Sequence, residues 1–332
     1  MLQYTIIFVK GLYWMGNLKY AIIFPGQGAQ EPGMGREIFE NYPAARQAFE
    51  EADEALGFSL SDKIFNGTQE ELGLTEITQP AILTVSIAAF RALSSELGET
   101  PVPLCMAGHS LGEYTALVAS GVISMADGVR LVSRRGNLMQ NAVPVGKGAM
   151  AAVLGLSLDE VSKVCAKVAN GQVVAPANIN LPTQIVISGH TDAVMRAIDY
   201  IAKNYTARTR LLKVSCPCHS ALLEETATEL EKEFMKVTSW SNPSCPIISN
   251  VSGTVLNNVD DIKRALYKQI YSPVQWVASV LEMEKLGVEN YIELGPGKVL
   301  SSIVKKLCSD KTPIYGSTVE KIKEIADLIR SK

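Results

Sequence analysis

Short, uniformly apolar runs alternate along this chain with longer stretches whose apolar residues recur every three or four positions. That alternation predicts an α/β protein. Residues 19–24 (KYAIIF) and 102–107 are too short for helices and read as buried strands. The spacing predicts a helix over 41–56, with Phe49 and Leu56 on one face and Gly57 as its stop. A second helix, over 78–97, is nearly uncharged and so buried, with Pro80 near its first turn, where a missing N–H is tolerated. A third covers 124–141, with Val129, Val132, Leu138 and Met139 as its apolar positions.

The character changes at residue 148. Strands are predicted over 148–155, 172–178, 184–188 and 208–215, and helices over 157–170 and 192–204. The order β-α-β-β-α-β is that of a ferredoxin-like split unit. Hinge-like segments at 144–148 (PVGKG) and 215–217 (SCP) bracket it. The expected architecture is therefore a discontinuous, α/β-hydrolase-like catalytic domain with a parallel sheet (18–143 and 216–332), carrying a small ferredoxin-like domain (144–215). Beyond the return, helices are predicted over 221–235 and 260–271, another from Ser272, and strands over 246–250 and 290–294. Residues 1–17 are apolar and aromatic, but Lys10 interrupts them and no basic leader or cleavage site frames them. They read as an extension, translated upstream of a start at Met15, and not as a signal or a membrane span.

Composition narrows the field. At 332 residues, with 47% apolar and 20% charged residues, the chain has ample material for a core. A net charge of −3 and a pI near 5.8 leave no basic footprint for nucleic acid, and no uncharged segment of spanning length argues for a membrane. The six cysteines lack framework spacing and read as reduced thiols in a cytoplasmic protein.

The chemistry centres on 106–114 (MAGHSLGEY). Here G-x-S-x-G sits between a predicted strand and a predicted helix, the context of a nucleophile elbow. The glycines let the chain turn sharply and lift Ser110 to a helix N-terminus, with the Leu111 N–H as a candidate oxyanion donor. The glycine-rich loop 25–30 (PGQGAQ) matches neither G-x-G-x-x-G nor a Walker motif. It reads instead as a loop beside the elbow, with Gln27 and Gln30 as neutral donors.

A serine nucleophile needs a base, and the chain holds His109, His190 and His219. The tight turn points His109 away from Ser110, and His190 reads as a surface cap. His219, where the chain re-enters the large domain, is the best base. Cys216-x-Cys218-His219 lacks the second pair a zinc site requires, so no metal is expected. Asp127, Asp159, Asp192 and Asp199 lie between serine and histidine, but none follows a strand of the large domain. That makes a dyad whose histidine is oriented by a backbone carbonyl a candidate arrangement. Of Arg130, Arg134 and Arg135 on one helix, two read as solvated or snorkelling, and the third, beside Gly136, is a candidate to point into a pocket instead.

Further segments fall in order around these: 24–30 (FPGQGAQ), 78–81 (TQPA), 134–136 (RRG), 148–152 (GAMAA), 218–220 (CHS), 271–276 (YSPVQW) and 293–297 (ELGPG). With the elbow, they resemble the malonyl-CoA:acyl carrier protein transacylases of type II fatty-acid synthesis, from Lys19 to the mid-310s. The resemblance implies that Ser110 takes malonyl from coenzyme A as an ester and passes it to the phosphopantetheine thiol of holo acyl carrier protein. It implies His219 as the base, held by the Gln269 carbonyl, and the Gln27 and Leu111 N–H groups as oxyanion hole. Arg135 would pair with the malonyl carboxylate, with the Gln27 side chain and Asn178 as secondary contacts. Malonyl-CoA is then a substrate, no cofactor is permanently bound, and a monomer is expected.

One departure is Cys218, where a phenylalanine or serine is expected, which leaves the strictness of malonyl selectivity open. Lys213, Lys298, Lys305 and Lys306 are candidates for a carrier-facing surface. Three alternatives stand beside this reading: a serine esterase or lysophospholipase, a non-catalytic carrier-docking domain, and a polyketide-type acyltransferase.

Overall fold

The computed structural model describes residues 7–9, 12–14, 18–212, 214 and 216–331. Strands β1 (Ile7–Val9) and β2 (Leu12–Trp14) pair antiparallel. The rest of the 1–17 extension, and Lys213 among the candidate surface lysines, lie outside the described residues.

The further strands are β3 (Tyr20–Phe24), β4 (Cys105–Gly108), β5 (Gly148–Leu154), β6 (Val174–Leu181), β7 (Gln184–His190) and β8 (Arg208–Leu211). They continue with β9 (Ile247–Ile248), β10 (Val255–Leu256), β11 (Asn290–Leu294) and β12 (Ile314–Gly316). The larger sheet has the order β10-β9-β4-β3-β11-β12. It is parallel throughout except for β10, which returns antiparallel on β9. The uniform apolar character of β3 follows from burial on both faces: Tyr20, Ile22 and Phe24 enter one core, Ala21 and Ile23 the other.

The strand expected at 102–107 begins only at Cys105. Pro101 and Pro103 have no N–H to give a ladder, and Val102 is left 61% exposed. The long helix starts three residues earlier than expected, spanning Thr75–Leu97, so Pro80 sits in its second turn. Its first turn is held by Gln140, whose Oε1 accepts from the Thr75 N–H at 2.8 Å. This helix is long and apolar enough to cross a bilayer, yet 83% of that stretch is buried inside the protein, which accounts for its lack of charge.

Helix Met125–Asn141 packs on that first turn through Gly136. A Cβ there would run into the Thr75 carbonyl and the Glu76 Cα. Helix propensity alone would make Gly136→Ala stabilising by about 1 kcal/mol. Backbone overpacking costs about 1–3 kcal/mol and wins, so Gly136→Ala is expected to lower the melting temperature. An unchanged or raised midpoint in thermal unfolding would refute that packing argument.

The second sheet is antiparallel, in the order β6-β7-β5-β8. Its alternating side chains divide cleanly. Ala149, Ala151 and Val153 of β5 pack with Ile185 and Ile187 against helices Leu158–Val168 and Thr191–Asn204. Met150, Ala152 and Val186 face the other way, into a cavity between the two sheets. Backbone bonds tie this unit to the larger one: Ile179 N donates to Val274 O and Val274 N to Ala177 O, each at 2.9 Å.

Candidate active site

Ser110 stands between β4 and helix Leu111–Ala119 with φ 52° and ψ −103°. A Cβ on Gly108 would overlap the Gly112 carbonyl, and one on Gly112 would overlap the Phe24 carbonyl. The elbow's glycines are thus fixed by backbone crossing backbone. The serine's own left-handed conformation costs about 1–3 kcal/mol, supplied by the surrounding packing.

His219, also at positive φ (57°), is 3% exposed. Its Nε2 lies 2.7 Å from Ser110 Oγ and its Nδ1 2.8 Å from the Gln269 carbonyl. A carbonyl can only accept, so the proton sits on Nδ1 and Nε2 offers its lone pair to the serine hydroxyl. Among the described residues no carboxylate touches the ring; Asp127, one of the acids between serine and histidine, accepts from the Ser239 hydroxyl instead.

Arg135 is 1% exposed and reaches the same oxygen: Nη2 donates to Ser110 Oγ at 3.1 Å. It also donates to Gln269 Oε1 at 3.0 Å, while Nη1 donates to Gln79 Oε1 at 2.7 Å. The guanidinium lies over the Tyr114 ring, 5.2 Å from its centroid. Its Nε has no hydrogen-bond partner among the described residues. The other two arginines of the helix are outside this site. Arg130 Nε donates to Ala55 O, and Arg134 pairs with Glu233.

Beneath the elbow lies a second layer. Gln269 Nε2 donates to Ser110 O (2.9 Å) and to the buried Glu113 carboxyl (2.7 Å). Burial pushes that carboxyl up to about 7, against the pull of Gln269, the Asn250 N–H and Arg135. Asn250 Oδ1 accepts from Ser110 N, and its Nδ2 donates to Gly108 O, each at 2.6 Å. Gln79, Glu113 and Asn250 were not assigned a role from sequence. The first two stand inside the TQPA and GHSLGE segments, while Asn250 has no local signal.

Ser110, Arg135 and His219 border a cavity of about 310 Å³, which Gln27, Leu111, Asn178 and Cys218 also line. The predicted site residues therefore come together, Gln269 from behind the histidine. His109 does turn away from Ser110, but it stays at the site: its Nε2 meets Asn180 Oδ1 of β6 at 2.9 Å. His190 stands at the N-cap position of helix Thr191–Asn204, but it is half-buried and its side chain does not cap the helix. Its Nδ1 accepts from Val173 N at 2.9 Å and ties two strand ends together. Lys298, Lys305 and Lys306 are exposed, and Lys305 is occupied by the carbonyls of Ser309 and Lys311. A groove of 360 Å³ elsewhere holds no histidine, and its Arg91 is paired with Glu51. Among the described residues no three His, Cys, Asp or Glu side chains converge as a metal site would require.

Burial, and then the positive charge of Arg135, lower His219 from its ordinary 6.5 to about 3. The imidazole thus stays neutral, and able to accept a proton, well into acid. For the free enzyme, kcat/KM is expected to stay nearly level from about pH 8 to about pH 5, where an ordinary histidine would halve it near 6.5. A fall near 6.5 that survives Glu113→Gln would overturn this. The same depressed value stabilises the fold fully above pH 6.5, a contribution lost as pH falls towards 3.

The sequence profile described as "Acyl transferase domain" matches residues 21–325. The malonyl CoA-acyl carrier protein transacylase of Escherichia coli K12 is 45% identical over 294 residues, covering 89% of this chain and 94% of that protein. The solved transacylase of the same name from Coxiella burnetii superposes with a TM-score of 0.91 at 39% identity, covering 94% of this chain and 98% of that one. The malonyl-transacylase solved in complex with its type II PKS acyl-carrier protein gives a TM-score of 0.89 at 37% identity, covering 95% of this chain and 100% of that one.

Proposed function

The chain belongs to the acyl transferase domain family, and from that premise we infer that Ser110 carries a malonyl group as an ester between two thiols. The activity is malonyl transfer from malonyl-CoA to holo acyl carrier protein in fatty-acid synthesis, with no resident cofactor. One observation supports the site assignment above the others: a base and a buried cation meet at a single serine oxygen. An esterase for neutral acyl chains has no use for that cation, whereas a malonyl carboxylate buried without one would cost several kcal/mol.

In the forward half-reaction, His219 Nε2 takes the hydroxyl proton as Ser110 Oγ attacks the thioester carbonyl. The Leu111 and Gln27 N–H groups receive the oxyanion. The C–S bond then breaks, and His219 returns the proton to the departing coenzyme A thiolate. The second half runs in reverse: His219 deprotonates the carrier's phosphopantetheine thiol, and sulfur displaces Ser110 from the malonyl ester. Arg135 exchanges its contact with Ser110 for the malonyl carboxylate, which it holds bidentately. Asn178 and the Gln27 side chain line the acyl path. Cys218 forms part of the wall that sets selectivity.

The four-stranded unit reads as a ferredoxin-like insertion at 144–215 in a hydrolase-like domain formed by 18–143 and 216–332. It supplies the wall opposite the elbow. The protein acts as a cytoplasmic monomer in this reading. The likeness to a polyketide malonyl-transacylase keeps a polyketide carrier as the second reading.

Intact mass after mixing with malonyl-CoA, acetyl-CoA or methylmalonyl-CoA, followed by peptide mapping and holo carrier of either type, tests all of this. A malonyl adduct on Ser110, discharged onto the fatty-acid carrier, is expected. Continuous release of free malonate without an adduct would replace the transferase by a hydrolase. Discharge onto the polyketide carrier alone would select the second reading.

A further inference from the structure

We propose that Asn250 is a positioning residue for this acyl transfer: its side-chain amide staples the two flanks of the elbow and keeps Ser110 aimed at His219. The role rests on the serine-ester reading above. Asn250 is fully buried, and one primary amide spans the peptide groups on either side of His109, accepting from Ser110 N and donating to Gly108 O. Neither group is served by regular structure. The Ser110 N–H precedes the first turn of its helix, where no intrahelical acceptor exists. The Gly108 carbonyl ends β4, and β9 beside it stops at Ile248, two residues before Asn250. The short β9, which the sequence predicts to run to 250, thus gives up its last rungs so that Asn250 can turn in under the elbow.

The staple is itself held. Asn250 N donates to Glu113 Oε2 at 3.3 Å, and its carbonyl accepts from Gln275 N at 2.7 Å. Its backbone is therefore anchored while its side chain grips a serine at φ 52°. That conformation is disfavoured for any residue with a Cβ, so it persists only where neighbours over-determine it. The required chemistry is narrow, with a donor and an acceptor on one planar group. An ionised aspartate offers acceptors only, whereas a protonated one presents O–H and C=O in the amide's places. Glu113, on helix Leu111–Ala119, contacts the Asn250 backbone, while His109, between the two stapled peptides, turns its Nε2 to Asn180. Arg135 and His219 lie one layer further, across Gln269 and Ser110.

The test compares wild type, Asn250→Ala and Asn250→Asp in two assays: Ser110 labelling by a fluorophosphonate, and single-turnover acylation by malonyl-CoA. In Asn250→Ala both rates are expected to fall by on the order of 10–100-fold, as for a misaimed nucleophile. The KM for malonyl-CoA should stay within about threefold, because no substrate contact is removed. Asn250→Asp should recover as pH falls from about 8 to about 5.5, with its buried carboxyl taking up a proton, while wild type and Asn250→Ala show no such recovery. Should Asn250→Ala not fold, the pH profile of Asn250→Asp decides alone. Unchanged labelling in folded Asn250→Ala, or a wild-type profile in Asn250→Asp, would overturn the proposal. Wild-type labelling without any malonyl adduct would instead defeat the serine-ester reading, and the fluorophosphonate rates would still measure the staple.

Discussion

Replacing Ser110 by alanine is expected to lower malonyl transfer by on the order of 10⁴–10⁶-fold and to abolish the covalent adduct. The change leaves His219 and Arg135 in place but removes the oxygen on which they converge. Direct transfer from the thioester to the carrier thiol is no escape, because both phosphopantetheine arms would have to fit one cavity of about 310 Å³ together. His219→Ala should lose nearly as much, since a serine without its base is a poor nucleophile at neutral pH. The double variant should be little worse than either, because residues that act as a unit are not additive. Quench-flow single turnovers on the three variants measure this. Transfer by Ser110→Ala within about tenfold of wild type would remove Ser110 from the reaction.

Arg135→Ala is expected to lower kcat/KM for malonyl-CoA by on the order of 10²–10³-fold and to erase the preference for malonyl over acetyl. The malonyl carboxylate would lose a bidentate, charge-assisted partner, and truncating one member of a buried ion pair costs about 3–5 kcal/mol. A neutral acetyl group loses no such partner. In wild type an acetyl group would leave the buried guanidinium without a carboxylate partner, a penalty that Arg135→Ala would remove. Arg135→Lys should not restore the rate. A single ammonium cannot at once satisfy Gln79 Oε1, Gln269 Oε1 and a carboxylate, as the planar fork does. Parallel kcat/KM values for the two thioesters, with melting temperatures to separate misfolding, decide the matter. A retained malonyl preference in Arg135→Ala would sink the assignment.

Much of this was legible in the chain because some constraints are local. Gly108 is required by a crossing within five residues, where the chain passes back over it at Gly112, and β3 is apolar at every position because both of its faces are covered. Where a non-local partner decides, sequence reasoning fell short. Val102 looked like strand until the flanking prolines excluded it from the ladder. Helix Thr75–Leu97 began early because Gln140, 65 residues away, caps its first N–H. Gln79 looks like a stray polar residue in an apolar helix, and only the fold shows that it holds the guanidinium. Asn250 is the extreme case. It bonds Ser110 across 140 residues and disturbs no periodicity, so nothing nearby announces it.

The placement of the dyad on either side of the four-stranded unit has a consequence for how the activity arises during synthesis. Ser110 leaves the ribosome 109 residues before His219, and Gln269, which orients the imidazole, follows 50 residues later. A nascent chain thus carries its nucleophile long before its base, and contacts of such separation form late in folding. Chains truncated before Gln269 are expected to be inert towards thioesters even when the elbow is made, so covalent acylation would report a protein that has finished folding.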